Sequence, residues 1–257
     1  MTSQLKPQAS DTPPLLILEC GAMTFEKSKR SLDFGPMFME AGHFSPGEAV
    51  VLDAVNQPIT VRPEDFQGVI ITGSLAMVTD LLPWTQAVLN WLAQAVRLGI
   101  PILGICYGHH LLATVYGGQV DYHPAGMELG SHEIVLYPEA RDYPLLQVLP
   151  DRFAAYLVHS QSVLRPPSKA KVLASSNHDP NQILAYAPNV LSCQFHPEFS
   201  AFFMSELLDE MEGYSAPAGR PAGVVFGQEP MAINHSQKLL RLFADLALGK
   251  TLTRLPG

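Results

Sequence analysis

Between Pro101 and Gly118 the sequence PILGICYGHHLLATVYGG passes from an apolar strand into a helix at one residue, Cys106, with Gly104 and Gly108 two positions away on either side. A chain can turn that sharply where its neighbours carry no side chain to collide. A strand feeding straight into a helix is also the joint from which layered α/β folds are built. The rest of the chain keeps the alternation. LLILE from Leu15, EAVVLDA and GVIITGS read as short strands, and Trp84, Val88, Trp91, Leu92, Ala95 and Val96 recur at helical spacing. Gly99 ends that helix and Pro101 restarts the chain as a strand; YGHHLLATVY is the next helix, closed by Gly117 and Gly118. Further on, SHEIVLY, FAAYLVH, KVLASS, QILAYA and VLSCQFH are short strands with little helix between them, which predicts some antiparallel pairing. The expected fold is α/β: an open, mostly parallel twisted sheet with helices on both faces and some antiparallel strands. Residues 14–203 are expected to form that domain. Residues 1–13, polar and proline-containing, read as a disordered leader. Residues 204–257 read as a C-terminal helical extension packed on the same domain, two helices joined by GYSAPAGRPAG.

Composition narrows the function. Of 257 residues 47% are hydrophobic, enough for a large core. Charged residues are only 16%, with 16 basic against 24 acidic, and no basic cluster offers a footprint for nucleic acid. No apolar run reaches the length of a membrane span, so no membrane partner is expected. Cys20, Cys106 and Cys193 are odd in number and far apart, which argues against a disulfide framework and for a reducing, cytoplasmic setting. LGKT near the C-terminus is not a phosphate loop, because Ala244 stands where the first glycine belongs and no strand precedes it.

The chemistry gathers around Cys106. At a strand-to-helix turn the first N–H groups of the helix point at the thiol, favour the thiolate and can hold an oxyanion. A thiolate nucleophile needs a base, and the base needs an orienting group. LSCQFHPEF supplies both: strand Leu191–Phe195 runs out to His196, Pro197 and Glu198, and a carboxylate two residues past a histidine can hold one ring nitrogen while the other faces the thiol. Parallel strands that end at one sheet edge would bring the segments together. GVIITGS ends in Gly73-Ser74, whose backbone N–H can join that of Tyr107 in an oxyanion hole. A packing cysteine and a surface His-Glu pair would account for each segment alone; the two segments together favour chemistry. Cys20-Gly21 also ends a strand but lacks the helix signature, and Cys193 alternates into a strand core. His109 and His110 are adjacent and face different sides of a helix. His123, His132, His159 and His178 show no metal-ligand spacing and read as surface or loop residues, so no metal is expected.

These segments resemble the class I glutamine amidotransferases of the Cys-His-Glu type, including the glutaminase domain of GMP synthase and its free-standing relatives. The resemblance rests on PILGICYGHHLLATVYGGQV and QFHPEF, with ITGS, Pro83-Trp84, ELGSHEIVL and VHSQSVLRPPSKAKVLASS in order between Leu15 and Phe203. It implies a flavodoxin-like sheet and no cofactor. It also implies roles: Cys106 attacks the γ-amide of glutamine, His196 moves the proton, Glu198 orients it, and Gly73, Ser74 and Tyr107 hold the oxyanion. His110, His159, Ser160 and Gln161 fall in the region that handles the substrate's amino and carboxylate groups. Two positions depart from the pattern: His110 stands where relatives usually have Gln, and Gln161 where they often have Asp. Poor use of free glutamine is therefore expected. No ATP-binding domain is legible, so any ammonia transfer to a synthetase is expected in trans. The alternatives are a stand-alone γ-glutamyl peptidase and a binding module that no longer turns over. A cysteine α/β-hydrolase fits less well, because its acid precedes its histidine in chain order.

Overall fold

The computed structural model describes residues 12–213, 220–228 and 235–250. Most of the expected leader and of the GYSAPAGRPAG loop lies outside the described residues. In chain order the elements are β1 (Leu15–Glu19), β2 (Ala22–Phe25), β3 (Arg30–Asp33), α1 (Phe34–Ala41), β4 (Ala49–Asp53), β5 (Gly68–Ile71), α2 (Pro83–Arg97), β6 (Ile102–Ile105), α3 (Tyr107–Val115) and β7 (Gln119–Tyr122). They continue with β8 (Met127–Leu136), β9 (Arg152–His159), β10 (Gln161–Arg165), β11 (Lys171–Ser175), β12 (Ile183–Ala187), β13 (Val190–Cys193), α4 (Ala201–Met211), β14 (Val224–Phe226) and α5 (Lys238–Ala247).

Ten strands form one sheet in the order β14-β8-β11-β12-β13-β6-β5-β1-β4, with β9 paired to β8. The run β13-β6-β5-β1-β4 is parallel throughout, whereas β9-β8-β11-β12-β13 is antiparallel. The period-two pattern of the apolar strands sorts their side chains to two layers. Leu15, Ile17, Ile70, Leu103 and Ile105 pack with Phe34 and Phe38 of α1, Phe203, Met204 and Leu207 of α4, and Leu239, Leu240 and Phe243 of α5. Leu16, Leu18, Val69, Ile71 and Ile102 pack with Val88, Trp91 and Leu92 of α2 and Leu111 and Leu112 of α3. Helices thus cover both faces.

Three features depart from the sequence reading. Strand β13 stops at Cys193, short of Phe195, because the chain leaves the ladder there: Gln194 N–H donates to Gln182 O and His196 N–H to Tyr156 O. The β2–β3 hairpin and the β7–β10 pair stand outside the large sheet. Between the two C-terminal helices, β14 adds an edge strand parallel to β8.

Candidate active site

Strand register brings the site together. Cys193 pairs with Ile105 and Ile71 with Gly104, so the chain segments leaving β13, β6 and β5 run side by side at one sheet edge. Cys106 N–H donates to Cys193 O at 2.9 Å, and Gly108 N–H donates to Thr72 O at 3.2 Å, tying the turn to both neighbours. Cys106 holds φ +50°, ψ −99°, which a residue with a side chain rarely adopts. The bracketing glycines make that turn fit. A Cβ on Gly104 would stand 2.5 Å from Gly108 O, and one on Gly108 would stand 2.7 Å from Ile71 O. Helix α3 therefore lies directly against β6 and β5, with its N-terminus beside the thiol.

His196 is oriented from two sides. Its Nδ1–H donates to Glu198 Oε1 at 2.6 Å, and its ring stacks on Phe199 with centroids 4.1 Å apart and planes 5° from parallel. A proton on Nδ1 leaves the Nε2 lone pair free in the neutral ring. Nε2 has no hydrogen-bond partner among the described residues; the Cys106 thiol turns toward Val158 O, at 3.9 Å. The three segments nonetheless converge. A Cβ on Gly73 would come within 2.9 Å of His196 Cε1 and 3.7 Å of Cys106 Cβ. Burial opposes charge on His196, but the charges of Glu198 and then Cys106 outweigh it, and the imidazole is pushed up to about 10. Beyond Glu198, on the face of α1, α4 and α5, lies a cavity of about 830 Å³ lined by residues such as Met37, Phe203 and Lys238.

The other expected site residues are placed differently. Ser74 Oγ accepts from Ala76 N–H at 3.1 Å. Tyr107 opens α3, so its N–H is one of the helix's intrinsically unpaired donors. Gln161 is buried with its amide committed: Oε1 accepts from Val78 N–H at 3.1 Å and Nε2 donates to Thr79 Oγ1 at 2.7 Å. His110 is buried and donates from Nε2 to Gln194 Oε1 at 2.7 Å; burial pushes it down to about 3, so it is neutral. The Ser160 carbonyl accepts from His123 N–H. Thus His110 and Gln161 both use side-chain polar groups on protein partners.

His159 corrects the sequence reading, which took it with the other scattered histidines as a surface or loop residue. It ends β9 with its side chain 1% exposed, and Nε2 faces Glu128 Oε2 at 2.9 Å. Glu128 also accepts from Ser176 Oγ and Gln182 Nε2, and His132 lies 3.4 Å away. The sequence reading also missed Phe199 as the ring that holds His196, although its position one residue past Glu198 was visible. Burial drives the Cys20 and Cys193 thiols upward, away from the reactive thiolate form. Among the described residues no cluster of His, Cys, Asp or Glu is arranged to hold a metal ion, and no helix is long and apolar enough to cross a membrane.

The family model for glutamine amidotransferase class-I matches residues 47–205, more than half of the chain and all of the segments that meet at Cys106. The chain belongs to the class I glutamine amidotransferase family. It is 34% identical over 190 residues to a GMP synthase [glutamine-hydrolyzing] of Aeropyrum pernix, a match covering 73% of this chain and 33% of that relative. It is 26% identical over 151 residues to gamma-glutamyl peptidase 5 of Arabidopsis thaliana, covering 58% of this chain and 60% of that one. The chain therefore spans a third of the first relative's length and less than two thirds of the second's. A solved glutamine amidotransferase from Thermotoga maritima shares the fold, with a TM-score of 0.68 at 19% identity, covering 93% of this chain and 99% of that one. This class I amidotransferase chain thus has relatives whose names carry two different reactions.

Proposed function

We propose that the chain is a cysteine hydrolase of glutamine-type γ-amides. The observation that carries the reading is the meeting of a strained Cys106 at the start of α3 with the 2.6 Å His196–Glu198 pair. His196 holds the proton on Nε2 as an imidazolium, in keeping with its raised pKa, and the thiolate of Cys106 beside it attacks the γ-carbonyl carbon. The C=O electron pair moves to oxygen, where N–H groups of the Gly73-Ser74 turn and of Tyr107 hold the oxyanion. When the tetrahedral species collapses, the C–N bond breaks and His196 returns its proton to the departing nitrogen, which leaves as ammonia. Water then attacks the γ-glutamyl thioester with His196 as base, releasing glutamate and restoring the thiol. Glu198 fixes the tautomer and steadies the imidazolium throughout. Ammonia passes to a synthetase in trans or is released.

His110, His159, Ser160 and Gln161 shape the substrate end of the site from behind, since the polar groups described above are turned to protein partners. A second reading, a γ-glutamyl peptidase, is supported by the 26% identity to gamma-glutamyl peptidase 5 of Arabidopsis thaliana. Gln161 does not separate the two, since a γ-glutamyl dipeptide carries the same α-ammonium as glutamine. Both readings share the same thioester and differ in the leaving group. Incubating wild type and Cys106→Ala with glutamine and with a γ-glutamyl dipeptide panel separates them. Ammonia from glutamine supports the first reading, and amine from dipeptides with little ammonia supports the second. Hydrolysis by neither substrate class, or undiminished hydrolysis by Cys106→Ala, would overturn both.

A further inference from the structure

A second imidazole, His159, follows the residue whose carbonyl faces the nucleophile, and its hydrogen bonds differ in kind from those of His196. His159 Nδ1 faces the Gln161 carbonyl oxygen at 2.9 Å, nearer than the Ser162 hydroxyl at 3.4 Å, and its Nε2 faces Glu128 Oε2 at 2.9 Å. A carbonyl oxygen accepts and never donates, and so does an ionised carboxylate. A ring held between two acceptors carries a proton on both nitrogens, which makes it an imidazolium. Glu128 is kept ionised by its own donors, Ser176 Oγ at 2.7 Å and Gln182 Nε2 at 3.0 Å. Burial opposes charge on both partners, yet Glu128 is lowered and His159 raised from their ordinary values, because each supplies the other's counter-charge.

The pair also has a neighbour to act on. Val158, the residue before His159, places its carbonyl oxygen 3.9 Å from Cys106 Sγ, and charge on Cys106 is felt at His159. The other titratable groups around the ring are His109 and His110 of α3, both held neutral by burial, His132 of β8, His123 ahead of β8, and His178 and Asp179 between β11 and β12. A group that exchanges a proton with the thiol needs one ring nitrogen free of other protein partners. His196 has one at Nε2, and His159 has none.

We propose that His159, pinned as a fixed imidazolium by Glu128, is a positioning residue that favours the Cys106 thiolate through its field and takes no part in proton transfer. The proposal rests on the reading of Cys106 as the nucleophile. The direct test is alkylation of Cys106 by iodoacetamide as a function of pH, read peptide by peptide by mass spectrometry, in the full chain. In His159→Gln and Glu128→Gln the rate at about pH 6.5 should fall roughly tenfold, the gap should close by about pH 9.5, and Glu128→Asp should restore most of the rate. Superimposable profiles in folded variants would overturn the proposal. Should the variants not fold, nitrogen NMR of histidine-labelled wild type decides: both His159 nitrogens should stay protonated from about pH 6 to 8, and a ring titrating as an ordinary imidazole would refute it. Alkylation needs no substrate, so a wild type that ignores glutamine and γ-glutamyl dipeptides would contradict the proposed function while leaving this result readable.

Discussion

Cys106 sits where a side chain strains the backbone, at φ +50°. Such a conformation costs about 1–3 kcal/mol, and glycine adopts it freely. Cys106→Gly should therefore gain about 1–2 kcal/mol in urea denaturation while losing alkylation and turnover. Gly73→Ala tests the convergence, because its Cβ would press on His196 Cε1 at 2.9 Å. A misplaced imidazole should cost about a hundredfold in kcat/KM with little change in Tm. The Glu128–His159 pair makes a stability prediction of its own. A lowered Glu128 stabilises the fold above its ordinary 4.5 and loses that contribution as pH falls through its native value. A raised His159 stabilises it below its ordinary 6.5 and loses that as pH rises through its native value. The Tm difference between wild type and a His159→Gln, Glu128→Gln double variant should thus peak between pH 4.5 and 6.5. Cys106, His196 and Glu198 were legible as candidates in the sequence because each declares its chemistry within a short segment. The partner of His159 was not, since Glu128 lies 31 residues away and only the β8–β9 pairing brings the two together.

At the scale of elements, the turn depends on how closely α3 approaches β6 and β5. Gly104→Ala would put a methyl 2.5 Å from Gly108 O and 2.8 Å from Leu112 Cδ1, and the first of these is backbone that cannot swing aside. A loss of about 2–3 kcal/mol is expected in urea denaturation, together with loss of Cys106 reactivity. The same glycine spacing made the strand–turn–helix readable beforehand. Strands β1, β5 and β6 were readable because they are apolar runs bounded by Gly and Pro. The β2–β3 hairpin was not: AMTFEKSKRSLD carries five charges and its stability comes from outside its own sequence. Arg30 pairs with Glu206 of α4 at 2.8 Å, and Phe25 meets Phe203 edge-on with centroids 5.6 Å apart. Strand β14, three residues in a Gly- and Pro-rich stretch, likewise owes its existence to β8 beside it.

At the scale of the whole molecule, α5 closes the layer that carries α1. Its apolar face enters the main core through Leu239, Leu240 and Phe243, and a charge network clamps its exposed side. Glu48, just ahead of β4, meets Lys250 Nζ at 2.6 Å and Arg241 Nη2 at 3.3 Å, and Arg241 also holds Asp245 at 2.6 Å. Lys250 is the main cause that holds the Glu48 carboxyl down at about 2, with Arg241 contributing. The group is partly screened by solvent, so Glu48→Gln should cost about 0.5–1 kcal/mol at low salt and less in concentrated salt, by urea denaturation. The central claim is that one fold edge makes Cys106 the acyl-accepting thiol. Its most direct test is to mix the protein with glutamine or a γ-glutamyl dipeptide, quench in acid, and locate any γ-glutamyl adduct by peptide mass spectrometry. A thioester on Cys106 should accumulate in wild type and be absent in Cys106→Ala, with turnover lost in step. Substrate turnover that persists in Cys106→Ala, or an adduct on Cys20 or Cys193, would contradict it.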